Sequence, residues 1–224
     1  MSSPKARKLS RSFYSRPTLV VCEELLGKFI VHKRSSGLVS AKIVEVEAYI
    51  GEDDPACHAA PGPTRRNQPL YGRPGCAYIY FIYGMYHCFN FVTERKGFPA
   101  AILLRAAEPV DGLELIRKAG HESHPGRLLS GPGKFCRGFG LTLAQNEVDL
   151  TGSVLYLEDR GVAPGRIERS PRIGIRKGLD RDWRFYDAES PAVSASRTRM
   201  KPMRMPEGPA HDQIRRESRK VTSK

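Results

Sequence analysis

The stretch Ser40–Ile50, SAKIVEVEAYI, places Glu45, Glu47 and Tyr49 at alternate positions. Successive side chains on a strand point to opposite faces, so these three share a face with Ile43. Lys42, Val44, Val46, Ala48 and Ile50 then share the other face, which reads as core. A carboxylate beside an aromatic wall is partly desolvated. Its pKa rises toward the range in which it can take a proton from water, the work of a general base. An ordinary surface strand would also carry charges here, so this strand is a weak signal by itself.

A second segment strengthens it. Tyr78, Tyr80, Phe81, Tyr83, Tyr86, Phe89 and Phe91 put seven aromatic rings within fourteen residues. Phe81, Phe89 and Phe91 read as core. Four tyrosines in nine positions are less natural there, because each buried hydroxyl needs a partner. Tyrosine suits stacking on a nucleobase while hydrogen-bonding a polar neighbour. Tyr83, beside Gly84 at the tip of an expected hairpin that also carries Met85, is placed to project outward. Asn90 between two phenylalanines can be buried only if its amide is satisfied. Arg105, in AAILLRAAEP, sits among Ala, Ile and Leu and must meet something acidic or bound: a structural pairing with Glu45, Glu47 or Glu108, or a catalytic carboxylate and its water.

Other chemistry is not supported. Cys57–His58 and His87–Cys88 are adjacent pairs, and neighbours on a strand face opposite ways, so no metal site is expected. GPGKFCRGFG, residues 131–140, has neither the phosphate-loop nor the dinucleotide spacing, so no cofactor follows. It can still bring a helix N-terminus and Lys134 to a backbone phosphate. No Ser–His–Asp arrangement emerges.

The elements that must position these residues are mostly strands. Lys28–Lys33, Ser40–Ile50, Cys76–Ile82, Tyr86–Val92, Ala100–Ala107, Ser153–Glu158 and Arg172–Ile175 read as strands. Helices are expected at Leu19–Leu26, from an Asp111 N-cap to about Ala119, and after the glycine-rich stretch at 131. Residues 51–75 form a long proline-rich loop, a length more often functional than idle. The expected class is a single α+β domain with a largely antiparallel sheet.

The chain has 224 residues and a formal net charge of +13. Residues 1–11 hold four bases and no acid, and residues 197–224 hold nine bases and three acids. The middle keeps 24 bases against 21 acids. The expected organisation is a basic disordered tail at 1–11, one domain at 12–199 and a second disordered tail at 200–224. The tails can raise nonspecific affinity for a polyanion but do not specify a function. There is no apolar run of membrane-spanning length and no secretory h-region, so no membrane partner is expected. Five cysteines without a CxxC pair fit reduced thiols and an intracellular protein.

Several motifs occurring in order resemble the alkyladenine (3-methyladenine) DNA glycosylase family. They are EVEAYIGEDDPACHA from Glu45, TRRN at 64–67, RPG at 73–75, YIYFIYGMYHCFN from Tyr78, ILLRAAEP from Ile102 and SGPGK at 130–134. The resemblance covers about residues 12–195. It implies a curved sheet with a protruding hairpin that enters DNA, and a monofunctional, cofactor-free hydrolase that flips alkylated or deaminated purines out of duplex DNA. It implies Glu47 as general base and Arg105 as water-positioning residue. Tyr49, His58 and Tyr80 would wall the base pocket, with Asn90 at its floor. Tyr83 would be the wedge, with Met85, Arg65, Arg66 and Lys134 along the DNA. The compact length looks like the bacterial branch, which implies a monomeric, cytoplasmic, nucleoid-associated enzyme. Leu70–Tyr71 and Val46 depart from the family's usual Met-Phe and Thr. With Lys42 on the face opposite Glu47, Schiff-base chemistry is not expected, so the product would be an abasic site in an unbroken strand. A noncatalytic damaged-base binder or an RNA-binding protein on the same scaffold is the alternative.

Overall fold

Apolar and β-branched residues alternate through the middle of the chain, and the backbone settles its hydrogen bonds in ladders. The computed structural model describes residues 6–194 apart from His121 and Ser123. Nine strands form one largely antiparallel sheet: β1 Arg7–Lys8, β2 Phe29–Arg34, β3 Gly37–Ile50, β4 Ala77–Ile82, β5 Tyr86–Val92, β6 Ala100–Asp111, β7 Leu155–Asp159, β8 Ile167–Ser170 and β9 Arg184–Asp187. The α-helices are α1 Arg11–Tyr14, α2 Thr18–Leu25, α3 Leu113–Gly120 and α4 Pro132–Phe139. The main strand order is β1-β7-β2-β3-β6-β5-β4, and β9 joins β3 to β8. The expected α+β class is the one found. Among the described residues no helix is long and apolar enough to cross a membrane.

β3 organises the molecule. Its first half pairs with β2 and its second half with β9 along the same edge, while β6 follows the whole opposite edge. Where β2 gives way to β9 the β3–β6 register slips twice: Ile43 faces Ala107, Glu45 faces Ala106 and Val46 faces Leu104. Val44 and Arg105 are therefore the unpaired residues of a double bulge, a device that re-aims side chains. This corrects the simple alternation. Ile43 joins Val46 and Ala48 in the main core, whereas Val44 packs with Ala106 and Ala192 on the carboxylate side. Lys42 consequently shares the face of Glu47 rather than opposing it, and its ammonium is paired with Glu108 at 2.8 Å.

Helices α2, α3 and α4 cover one sheet face through Val21, Leu25, Ile116, Phe135 and Phe139. The long 51–75 loop covers part of the other face, where Cys57, Ala59 and Leu70 pack with Tyr78, Val92 and Ala101. Two buried polar residues give this loop its shape. Asp54 accepts the N–H of Ala56, and the Asn67 amide donates to the carbonyls of His58 and Gly62.

Four further expectations are corrected. Within the segment expected to be a disordered N-terminal tail, β1 pairs with β7 and Arg11 pairs with Asp149. Residues 1–5 and the expected tail at 200–224 lie outside the described residues. The Asp111 carboxylate does not cap α3; it accepts from Ser40 Oγ and Arg160, and the helix opens on the Gly112 carbonyl. Arg172–Ile175 is not a strand, since its polar groups are taken by Asp54 and Glu47 instead of a neighbouring ladder. Phe81 is 45% exposed and packs against His87, while Phe89 and Phe91 are core as expected. Phe81 points away from the core because β4 leaves the body of the sheet to form the hairpin.

Candidate active site

β3, β4, β5 and β6 on one side, and the 51–75 loop, the start of α4 and residues 173–175 on the others, enclose a cleft of about 580 Å³. Tyr49, His58, Tyr80, Asn90 and Arg105 all line it, so residues spread over almost sixty positions meet in one place. Tyr83 stands at its rim, and Lys134 lies on its α4 side.

Glu47 sits behind the wall of the cleft, 0% exposed. Its Oε1 accepts the backbone N–H of Ile173 at 2.7 Å. Its Oε2 accepts the Tyr49 hydroxyl at 2.9 Å and Arg105 Nη1 at 3.3 Å. Burial raises the Glu47 pKa, and Glu45 adds to this; Arg105, Ile173 and Tyr49 only partly offset it. A carboxylate so placed is more basic than one in water yet still held as an anion partner, the condition a general base needs. Burial disfavours charge on Arg105 too, but Glu47 and Glu45 outweigh it and hold the guanidinium protonated.

The cleft walls are aromatic and neutral. Tyr49 carries the Arg172 guanidinium over its ring at 4.7 Å, which fixes the ring from that side. His58 lies edge-on to Tyr80, with centroids 4.4 Å apart, and its Nδ1 is hydrogen-bonded to the Tyr78 hydroxyl at 2.9 Å. Burial, together with the nearby Arg66, lowers the His58 pKa to about 4, so the ring is neutral at physiological pH. Burial pushes the Tyr78 phenol up to about 12 and raises that of Tyr80, and both stay protonated. Asn90 is buried and donates from Nδ2 to the Tyr78 carbonyl at 3.0 Å, satisfying the condition for its burial.

The β4–β5 hairpin carries the exposed groups. Tyr83 is 77% exposed and Met85 61%. Tyr83 and Gly84 have φ of 54° and 66°, the pair of positive values that a tight hairpin turn requires. Glycine adopts this conformation freely, whereas for tyrosine it costs on the order of 1–2 kcal/mol. Arg65 and Arg66 are exposed on the long loop, with Arg66 lying 5.6 Å from the Tyr80 ring centroid. Lys134 donates to Glu122 Oε2 at 2.7 Å, so a phosphate would have to compete with that carboxylate. Of the two family departures in the loop, Leu70 is buried against the cleft and the Tyr71 hydroxyl donates to Glu52.

Several residues of the site escaped the reading of the sequence. Arg184 and Ser194 join the already noted Glu45 in a buried network around Arg105. Arg172 and Asp54 form an ion pair with both side chains fully buried. Arg184, flanked by Trp183 and Phe185, carried the same apolar context that marked Arg105. The Ile173 N–H carried no signal at all, because every residue but proline offers that donor.

The same stretch of chain matches a known family. Residues 12–191 match the methylpurine-DNA glycosylase family. A protein of Methanocella arvoryzae is 50% identical over 193 residues, covering 83% of this chain and 95% of its own. One of Chlorobium phaeobacteroides is 44% identical over 85% of this chain and 96% of its own. One of Chlorobaculum tepidum is 41% identical over 90% of this chain and 98% of its own. All three are provisionally named 3-methyladenine DNA glycosylase. With a buried carboxylate and an arginine behind an aromatic cleft, and the family matched over nearly the whole described chain, the protein belongs to the methylpurine-DNA glycosylases, hydrolases of N-glycosyl bonds that act in DNA base-excision repair.

Proposed function

We propose that this chain flips alkylated or deaminated purines (3-methyladenine, 7-methylguanine, hypoxanthine or ethenoadenine) out of duplex DNA and hydrolyses their N-glycosidic bond with a water activated by Glu47. The observation that carries the reading is the Glu47 carboxylate, buried and raised in pKa, held by Arg105 and Tyr49 at the back of the cleft. A base in the stack cannot be reached, so extrusion comes first and costs a few kcal/mol, least where damage has weakened pairing. Tyr83 is the wedge that offsets the loss of stacking. A strained, exposed tyrosine at the tip is consistent with that use, because strain of this kind tends to persist where function requires it.

The flipped base stacks between Tyr49 and Tyr80 against His58, and a cationic purine gains from these electron-rich faces. Asn90 screens the exocyclic group at the floor. As the bond to C1′ breaks, positive charge develops on the sugar. Anionic Glu47 stabilises it while taking a proton from the attacking water, as in glycoside hydrolysis. Three donors take three of the roughly four lone-pair positions of the Glu47 carboxylate, which leaves one for the water. Arg105 lines the cleft while its Nη1 stays on Glu47 at 3.3 Å, so it can hold that water beside the carboxylate. The Lys42 amine is engaged by Glu108, and no amine is needed in the scheme. The product is therefore an abasic site in an intact strand, formed by a single chain without a cofactor.

Duplexes carrying each lesion, incubated with protein and then treated with alkali, test the reading. Alkali-dependent breaks at one or more lesions are expected; none on any lesion would leave a noncatalytic damaged-base binder. Breaks without alkali would contradict a monofunctional enzyme. Tyr83→Ser should slow excision of a stably paired lesion by about tenfold or more, since a lost aromatic stack is worth about 1–3 kcal/mol. Single-turnover kinetics indistinguishable from the parent would remove Tyr83 as the wedge.

A further inference from the structure

We propose that Ser194 and Glu45 are positioning residues for excision, holding the Arg105 guanidinium against Glu47 from a segment of chain that reaches the site only in the folded protein. The inference rests on the reading of Glu47 as the base.

Arg105 is a bulge residue, so pairing in the β6 ladder does not fix it. Three acceptors do. Nε donates to Glu45 Oε1 at 3.0 Å, Nη1 to Glu47 Oε2 at 3.3 Å and Nη2 to Ser194 Oγ at 3.2 Å. Two of these three partners are not catalytic, and they are coupled to each other. Ser194 donates to Glu45 through its backbone N–H at 2.6 Å and its hydroxyl at 2.8 Å. Arg184 Nε donates to the same carboxylate at 2.7 Å.

Glu45 and Glu47 are both fully buried, yet their surroundings assign them different work. Glu45 accepts four close donors, two of them cationic, so its lone-pair positions are taken. It is an anchor. Glu47 keeps its one long contact on the cleft side. The Ser194 hydroxyl is the relay between them, donating its single hydrogen to Glu45 and accepting from Arg105 with a lone pair. Alanine there would free Nη2 and leave the guanidinium held at Nε and by its weakest contact, free to swing off Glu47.

The test is a double-mutant cycle in the full-length chain, with Ser194→Ala, Arg105→Lys and the pair. Single-turnover excision at saturating protein reports chemistry, and half-saturation by a lesion duplex reports binding. Circular dichroism gives the folded fraction used to normalise both. Ser194→Ala is expected to slow chemistry about 10- to 100-fold, the scale of a misplaced catalytic group, with half-saturation unchanged. In the Arg105→Lys background it should cost almost nothing more, because a lysine cannot bridge to Ser194 and Glu47 together. Equal losses in both backgrounds, a parent-like rate in folded Ser194→Ala, or a loss confined to half-saturation would each overturn the proposal. Glu47→Gln, measured alongside, separates the two ideas, since a parent-like rate there removes the base and not the positioning network.

Discussion

Glu47→Gln should slow single-turnover excision by about 100- to 10,000-fold, the range that general acid–base catalysis supplies. Binding of lesion duplex should change little. Glutamine keeps the shape and can still accept from Ile173, so the fold has little reason to give way. What disappears is the anion proposed to take the proton and face the sugar's developing charge. The parent enzyme should show an acid limb with its midpoint above the ordinary carboxylate value of 4.5, because burial raises the Glu47 pKa. Falling pH protonates Glu47 and the rate falls with it; in the glutamine variant that limb should be absent. The sign for stability is the reverse of the usual carboxylate. A folded-state pKa above the unfolded one means the ionised group weakens the native state as pH rises through the shifted value. A rate within a few fold of the parent would remove Glu47 as the base.

Asp54→Ala should destabilise the domain by about 3–5 kcal/mol, the cost of leaving a buried charge without its partner. The Arg172 guanidinium donates to both Asp54 oxygens, at 2.5 and 2.7 Å, and to the Ala48 carbonyl at 2.8 Å. It also lies 5.1 Å from the Trp183 ring centroid as well as over Tyr49. Ile173, the next residue, donates its N–H to Glu47. The pair thus ties the cleft-covering loop to the backbone donor at Glu47, and losing it should lower activity along with stability. Urea unfolding followed by circular dichroism measures the first. A loss under about 1 kcal/mol, the scale of a surface pair, would mean that Arg172 finds water or another partner.

Much of the site was legible because its chemistry conflicts with its surroundings. Glu45, Glu47 and Arg105 are charges set among residues that otherwise bury themselves, and the structure brings all three together. Tyr83 beside Gly84 announced a hairpin tip, and the tip is where it stands. Alternation failed where the ladder itself changes. Counting by twos carried Ile43 to the carboxylate face and Lys42 away from it, but the double bulge exchanges both. A bulge answers to the partner strand, so one strand's periodicity does not contain it. Arg172–Ile175 failed for a related reason: its apolar residues look extended, yet its donors go to side chains rather than a neighbouring strand.

The sequence by itself determined the class of fold, the strands that carry the chemistry and the residue types able to perform it. These follow from local pattern, because side-chain period, turn chemistry and the cost of burying charge are properties of short stretches. The tertiary structure alone decided the different surroundings, and so the choice of hydrogen-bond partners, of two neighbouring glutamates. That choice depends on donors from Ser194 and Arg184 around Glu45 and from Ile173 beside Glu47, between 126 and 149 positions away along the chain. A pKa is set by everything within a few ångströms, and only the folded chain brings those groups there.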